Sequence, residues 1–443
     1  MDGVLDEPEA RDLIMSRAFS RERAGRIGVE LEWLVYAGAE ADSAPAAPGI
    51  GTGTPDRTSD TSEQKQIIVD HPAAVLDRGD QEDRPVLPAG GTISREPGGQ
   101  LELSTLPADS LGACAHNAAA DLAALRAWAG RRGLTLRGHG LDDRPPRLRV
   151  TDPRYVALDR YYRNIGAGPV LLCSTASVQV NVDAGDGSAG WRGRTRRWAL
   201  ANGLGPVLTA MFANSPAVQD GVPVRSARQL LRLRTDPARS GPLPLAAEPR
   251  ALWAEYALAT RVVSVRSPGT GTWDAPPPGL TLRTWLRGAG PRPVYAADVF
   301  NHLKSLVAPV RACGHLELRM IDAQPDDDWV VPLAVVGALL DEEGASEAAW
   351  RLVTAVLPRP GRALWLRAAA DGLSDPELAA AARTVMAIAT AGLARLDAPP
   401  WLRDAVAAYA DHYTARGRSP ADTRSAGYAV RPVSHEEVHG AVA

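Results

Sequence analysis

The sequence predicts an α+β protein: an antiparallel sheet flanked by helices, with a C-terminal third that is helical throughout. Three observations lead there. Four segments alternate apolar and polar residues with the period of a strand. They are joined by a hairpin-like turn or by long helical excursions, not by regular strand–helix units. From residue 329 onward one helical pattern follows another.

Residues 8–23 have helical spacing, with Leu13, Ile14, Ala18 and Phe19 on one face. Residues 26–36 alternate as a strand. Residues 38–64 are rich in Ala, Gly, Pro, Ser, Thr and Asp, with Ile50 as the bulky apolar residue, and read as a disordered or mobile loop whose deletion leaves the fold intact. A short apolar segment at 67–69 precedes a hairpin-like stretch at 90–107. Asp109 or Ser110 then caps an Ala-rich helix that runs to about Arg131. Further along, a helix starts near Pro153, a strand lies within 171–185, and helices cover 191–214 and 251–260. The last strand is 314–323, before helices at 329–340, 345–356, 361–370, 375–396 and 401–415. One large catalytic domain over residues 1–415, helical in 325–415 and followed by an irregular tail at 416–443, accounts for this order.

Composition narrows the function. The chain of 443 residues carries 49 basic and 52 acidic residues, a net charge of −3. No basic surplus speaks for nucleic acid or for a polybasic membrane surface. Lys65 and Lys304 are the only lysines, and neither follows a glycine, so a Walker A phosphate loop is excluded. Cys114, Cys173 and Cys313 are too few and too scattered for a disulfide framework. The acidic first residues lack the pattern of a signal peptide, and no charge-free apolar run reaches about 18 residues. A cytoplasmic protein without a membrane span or an obligate protein partner is expected.

The four strands share an unusual feature. Val29, Leu31 and Trp33 alternate with Glu30 and Glu32; Leu101 and Leu103 with Gln100, Glu102 and Ser104. Val178, Val180 and Val182 alternate with Gln179, Asn181 and Asp183; Leu316, Leu318 and Met320 with His315, Glu317 and Arg319. A single strand of this kind is an ordinary half-exposed strand. Glutamate is depleted in strands, however, and carboxylates side by side on one sheet repel each other unless a cation intervenes. Hard oxygen donors suit Mg²⁺, which offers a route to ATP phosphates without a Walker loop. Arg319, two residues after Glu317, can stabilise charge on a transferring phosphoryl group.

The ordered set GVELEW, SREPGGQLELS, RYVALDRYY, STASVQVNVD, FANSP and HLELRMIDAQP resembles the glutamate–cysteine ligases of the plant and bacterial type. The string GHLELRMIDAQPDDDWVVPLAVVGALL is most similar to the actinobacterial branch that starts ergothioneine biosynthesis. The likeness spans about residues 10–415. It implies a fold similar to the catalytic domain of glutamine synthetase and guanidino kinases, a curved antiparallel sheet around metal and nucleotide. It also implies a reaction: ATP phosphorylates the γ-carboxylate of L-glutamate, and the amine of L-cysteine displaces phosphate to give γ-glutamylcysteine.

On that resemblance Glu30, Glu32, Glu96, Glu102 and Glu317 are metal-coordinating carboxylates for Mg²⁺, with Mn²⁺ as a substitute, and Glu317 and Arg319 are catalytic. Gln179 and Asn181 lie near the substrates. Arg154 and Tyr155 match an Arg–Tyr pair assigned to glutamate. Arg228 and Arg239 match basic positions near glutamate carboxylates or phosphates. The inserted stretch 38–64, directly after the first metal-binding strand, departs from the family pattern.

Two motifs point elsewhere and fail on context. HEEVH at 435–439 matches a zinc-protease pattern but has four residues after it to supply a third ligand. GDGSAG at 185–190 matches a dinucleotide fingerprint but lacks the acidic residue about 20 positions on. His116, His302 and Cys114 sit on helical stretches and read as packing or surface residues. The competing functions are a ligase of the same fold with another amine acceptor and a non-catalytic metal-binding relative.

Overall fold

The computed structural model describes residues 3–19, 25–38, 85–150, 152–166, 168–219, 221–245, 248–267, 271–355 and 361–424. The apolar segment 67–69, the motif at 435–439 and all of the loop 38–64 except Gly38 lie outside the described residues.

Helix α1 (Glu7–Ala18) opens with a capping box, Asp6 and Glu9 exchanging side-chain and backbone hydrogen bonds. The central sheet is built from β1 (Ile27–Ala37), β2 (Thr92–Arg95), β3 (Leu101–Ser104), β4 (Leu134–Arg137), β5 (Ser177–Val182), β6 (Val310–Ala312) and β7 (Leu316–Asp322). Its order is β6-β7-β5-β1-β3-β2, with β4 pairing the far end of β1, and every pair is antiparallel. Two short hairpins, Ala217–Gln219 with Val222–Val224 and Val265–Arg266 with Trp273–Asp274, lie apart from it. The antiparallel sheet expected from the alternation is present, and β4 and β6 are additions that were too short to read from pattern.

One face of this sheet is core. Val29, Leu31, Trp33, Leu101, Leu103, Val178, Val180, Val182, Leu316 and Leu318 are all buried. Against them pack α2 (Leu111–Gly130), α4 (Arg194–Met211) and α8 (Val330–Asp341). Ser110 is the N-cap of α2, its hydroxyl accepting from the Ala113 amide at 3.2 Å, whereas Asp109 pairs with Arg26. Helix α8 is apolar on all sides, as a helix between the sheet and an outer helical layer must be. That layer is α9 (Glu343–Ala355), α10 (Arg362–Asp371), α11 (Pro376–Arg395) and α12 (Pro400–His412). Helix α11 is long and apolar enough to cross a membrane by length and composition, but it packs on α4, α8, α9 and α12, and its buried residues include Leu378, Val385, Ala389 and Leu393.

The polar side is walled by α3 (Pro153–Asn164), α5 (Ala227–Thr235) and α7 (Ala296–Lys304), with α6 (Pro249–Ala259) bonded to α7 through Ala257 O and His302. Two expectations need correction. Residues Val170–Cys173 form one helical turn after Pro169, so the strand read within 171–185 begins only at Ser177. The tail is not irregular from 416: Pro420–Thr423 is a helical turn with Ala421 buried. Asp422 pairs with Arg225 at 2.5 Å and the Ala421 amide bonds Ala213 O at 3.0 Å, so the chain to residue 424 is held against the body.

Candidate active site

Strand register decides which polar side chains meet. Glu30 stands opposite Gln179 on one side and Ser104 on the other, Glu32 opposite Glu102, and Glu317 opposite Asn181 and Arg311. Since residues directly opposite one another share a face, all of these line a single face. Hydrogen bonds knit it together. Gln179 donates to Glu32 at 2.8 Å and the Ser177 hydroxyl to the other Glu32 oxygen at 2.9 Å. Asn181 donates to Glu30 at 3.1 Å, and Ser94 and Ser104 donate to Glu102 at 2.9 and 3.3 Å.

Glu96 follows β2 in a tight turn, and the turn is pinned. The Gly98 amide donates to the Gln100 side chain at 2.9 Å, and Gln100 donates to Thr175 O at 2.8 Å. Gly98 lies so close to the Cys173 carbonyl that a Cβ there would be 1.8 Å from the oxygen. Glu30, Glu32, Glu96 and Glu102 thereby line one cavity of about 360 Å³, together with Gln179, Arg154, Tyr155 and Arg319. The Arg154 guanidinium lies over the Tyr155 ring at 4.9 Å.

Electrostatics divide the glutamates. Burial, then the Glu317 charge, lift the Glu30 carboxyl to about 7. Burial and the Glu32 charge lift Glu96 to about 7; burial with Glu96, Glu32 and Glu30 lifts Glu102 to about 9. Glu317 behaves oppositely. Burial opposes its charge, yet Arg311 and Arg319 hold its carboxyl down at about 2. Arg319 donates to one of its oxygens and Arg311 to the other, and the side chain is fully buried. Of the five glutamates, Glu317 is therefore the one that does not line a cavity; two guanidiniums cover it.

Arg228 and Arg239 do not reach the cavity, against expectation. Arg228 is buried beneath β7, donating to Arg319 O at 3.0 Å and pairing with Asp322 at 3.4 Å. Asp322 also accepts from the Asn214 amide and from Ser215 and Ser226. Arg239 has no exposed surface; it donates to Ser305 O and Oγ at 3.0 Å, to Arg261 O, and to Asp236 at 3.3 Å. A guanidinium so committed to carbonyls has little left for a substrate. Both arginines hold backbone: Arg228 the strand that carries Arg319, and Arg239 the segments next to Val262, Val263 and Val307 in the cavity wall.

Three residues at or beside the site escaped the sequence reading. Arg311 sits six residues before Glu317, across a hairpin whose Gly314 takes φ 95°. A basic residue set before a glycine-centred turn and a Glu-x-Arg strand was a usable signal. Lys304 ends α7 and faces the site. Cys313, considered in the sequence only for a disulfide framework, bonds Glu317 at 3.6 Å and His315 at 3.4 Å. Cys114 lies in the core as expected, whereas His302 is buried against Ala257 O at 2.8 Å where α7 borders the cavity.

The donor set fits a hard divalent cation. It is all oxygen, the repulsion that lifts three carboxyls is what a cation relieves, and the buried Gln179 Oε1 has no partner among the described residues. Among the described residues, no three of these groups close on one point as a metal cluster would; Glu32 is bonded by Ser177 and Gln179, and Glu317 by Arg311 and Arg319.

Carboxylates suited to cations and guanidiniums suited to anions share one sheet face, an arrangement that can neutralise and position charged substrates. The chain belongs to the glutamate-cysteine ligase family 2, whose model matches residues 26–443. It is 38% identical over 320 residues to the glutamate–cysteine ligase EgtA of Mycolicibacterium smegmatis, covering 69% of this chain and 72% of that one. It is 30% identical over 270 residues to the chloroplastic glutamate–cysteine ligase of Brassica juncea, 57% of this chain and 50% of that protein. Among solved structures, a bifunctional glutathione synthetase from Pasteurella multocida aligns with 96% of this chain and 52% of its own length, at 13% identity and a TM-score of 0.46.

Proposed function

We propose that this chain joins the γ-carboxylate of L-glutamate to the amine of L-cysteine at the expense of ATP, through γ-glutamyl phosphate. We read the reaction as the cytoplasmic first step of ergothioneine biosynthesis, carried by residues 1–415 as one catalytic unit. On this reading the sheet is of the glutamine synthetase and guanidino kinase type. The observation that carries it is the grouping on one sheet face of Glu30, Glu32, Glu96 and Glu102 with Arg319 and Arg154 around a single cavity.

The chemistry follows from charge. A glutamate γ-carboxylate oxygen attacks the γ-phosphorus of ATP, and the bond to the bridging oxygen breaks, releasing ADP. The amine of cysteine then attacks the acyl carbon, loses a proton, and inorganic phosphate departs. Neither step needs an enzyme nucleophile; both need anions brought together. Glu30, Glu32, Glu96, Glu102 and Glu317 would hold Mg²⁺ or Mn²⁺, which when bound neutralises phosphate charge. Arg319 offers a preorganised guanidinium to the transferring phosphoryl group. Arg154 pairs with a substrate carboxylate over the Tyr155 ring, and Gln179 and Asn181 fix the carboxylates they bond.

The intermediate has a direct test. With glutamate labelled by ¹⁸O in the γ-carboxylate, turnover carries one labelled oxygen into inorganic phosphate. Unlabelled phosphate from a turning-over enzyme contradicts the acyl phosphate.

A further inference from the structure

A second cavity, of about 1310 Å³, adjoins the first, and Glu30, Lys304 and Arg311 line both. These three side chains are the partition between the two spaces. The larger one exceeds the roughly 300–1,000 Å³ of a pocket for a drug-sized ligand. Its wall is rich in cations: Arg17, Arg26, Lys304 and Arg311, against the carboxylates of Glu30 and Asp183. Arg17 lies 4.8 Å over the Phe300 ring, and Arg26 pairs with Asp109 at 3.3 Å. A roomy, cationic cavity beside the carboxylate-lined one suits a polyphosphate.

Glu317 supplies the second observation. A carboxylate with no exposed surface costs several kcal/mol to bury unless its charge is answered, and here the answer is two guanidiniums on its two oxygens. Arg311, unlike Glu317, keeps partial exposure and sits at the partition between the cavities.

We propose that Arg311, seconded by Lys304, is a phosphate-binding residue that covers Glu317 in the ligand-free protein and turns to the phosphates of the nucleotide when it enters through the larger cavity. The exchange conserves charge pairing: the guanidinium trades one anion for another and leaves a Glu317 oxygen open to the site. Lys304 lies on the same partition and meets the phosphates from α7. This rests on the ATP-dependent reading above, but it concerns nucleotide binding rather than product.

The test compares Arg311→Met, Arg311→Lys and Lys304→Met with the unaltered chain. Binding of β,γ-methylene-ATP with Mg²⁺ is measured by titration calorimetry, and KM for ATP and glutamate in the ligation assay. Arg311→Met is expected to weaken analogue binding at least about tenfold, the scale of one charge-assisted hydrogen bond. It raises the KM for ATP far more than that for glutamate; Arg311→Lys restores part of the binding, and Lys304→Met weakens it several-fold. Analogue affinity within twofold of the unaltered chain in folded Arg311→Met overturns the proposal. So does a rise in the glutamate KM with analogue binding intact. Should Arg311→Met not fold, unchanged binding by Lys304→Met overturns it. An unaltered chain that binds the analogue but forms no γ-glutamylcysteine counts against the ligase reading alone.

Discussion

Arg311 and Arg319, on neighbouring strands, grip opposite oxygens of the fully buried Glu317 carboxylate. The three groups carry one net positive charge at the floor of the site. Glu317→Gln keeps the shape and removes the charge, leaving two guanidiniums facing a neutral amide. It is expected to lower kcat at least about a hundredfold, the scale of one preorganised electrostatic contact. Arg319→Ala loses a similar factor. Both guanidiniums retain some exposure, so melting curves should show folded protein in each case; a normal kcat in Glu317→Gln contradicts the assignment.

The clustered glutamates give the metal-free protein an unusual pH profile. Glu30, Glu96 and Glu102 have folded-state values near 7, 7 and 9, above the ordinary 4.5. A carboxyl raised in this way holds its proton longer in the folded state than in the unfolded chain. Its contribution is fully present below about 4.5 and is lost as pH rises through the folded value. Melting temperature in EDTA is therefore expected to fall from pH 5 to pH 9, and Mg²⁺ to recover much of the fall at the alkaline end. Glu317, held near 2, runs the other way: its stabilisation is present above about 4.5 and is lost only as pH drops toward 2. A flat alkaline profile, indifferent to Mg²⁺, would falsify the crowding. Activity should vanish in EDTA and return with Mg²⁺ or Mn²⁺.

No thiol is needed for the chemistry. Burial pushes the Cys114 and Cys173 thiols up to about 12, so neither is a thiolate at neutral pH. Cys313 bonds Glu317 but stands outside the row of groups facing the smaller cavity. Cys114→Ser, Cys173→Ser and Cys313→Ser should each keep most of the ligase activity. A dead cysteine variant beside an active Glu317→Gln points to a thiol intermediate.

Gly98 holds the Glu96 turn against the Cys173 carbonyl, and there is no room for a methyl group. Gly98→Ala must move backbone, at a cost of about 1–3 kcal/mol, and shifts Glu96 out of line. Melting temperature and kcat should both drop. Gly130→Ala, where nothing lies within 4 Å at the end of α2, is the matched control and should leave kcat unchanged without lowering the melting temperature.

The face of carboxylates was legible because strand period 2 turns a string such as GVELEW into two lists, one apolar and one acidic. The long helices were legible for the same reason at period 3.6. Partners across the sheet were not. That Glu32 meets Glu102, or that Arg311 covers Glu317, depends on register, and register is set by turns and pairing that no local pattern carries. Short elements such as β4 and β6 offer too few residues for a period to show. Arg228 and Arg239 illustrate a further limit: in a chain whose basic residues are nearly all arginine, residue type does not separate a buried guanidinium holding carbonyls from one facing a substrate.

The most direct measurement is product identity. Purified protein is given ATP, Mg²⁺, L-glutamate and a panel of amino acids, and the mixture is resolved by mass spectrometry. The expected outcome is γ-glutamylcysteine, with ADP and phosphate in equal amount, and little product with any other amine. A different γ-glutamyl amide as the main product, or ATP left intact in every mixture, would contradict it.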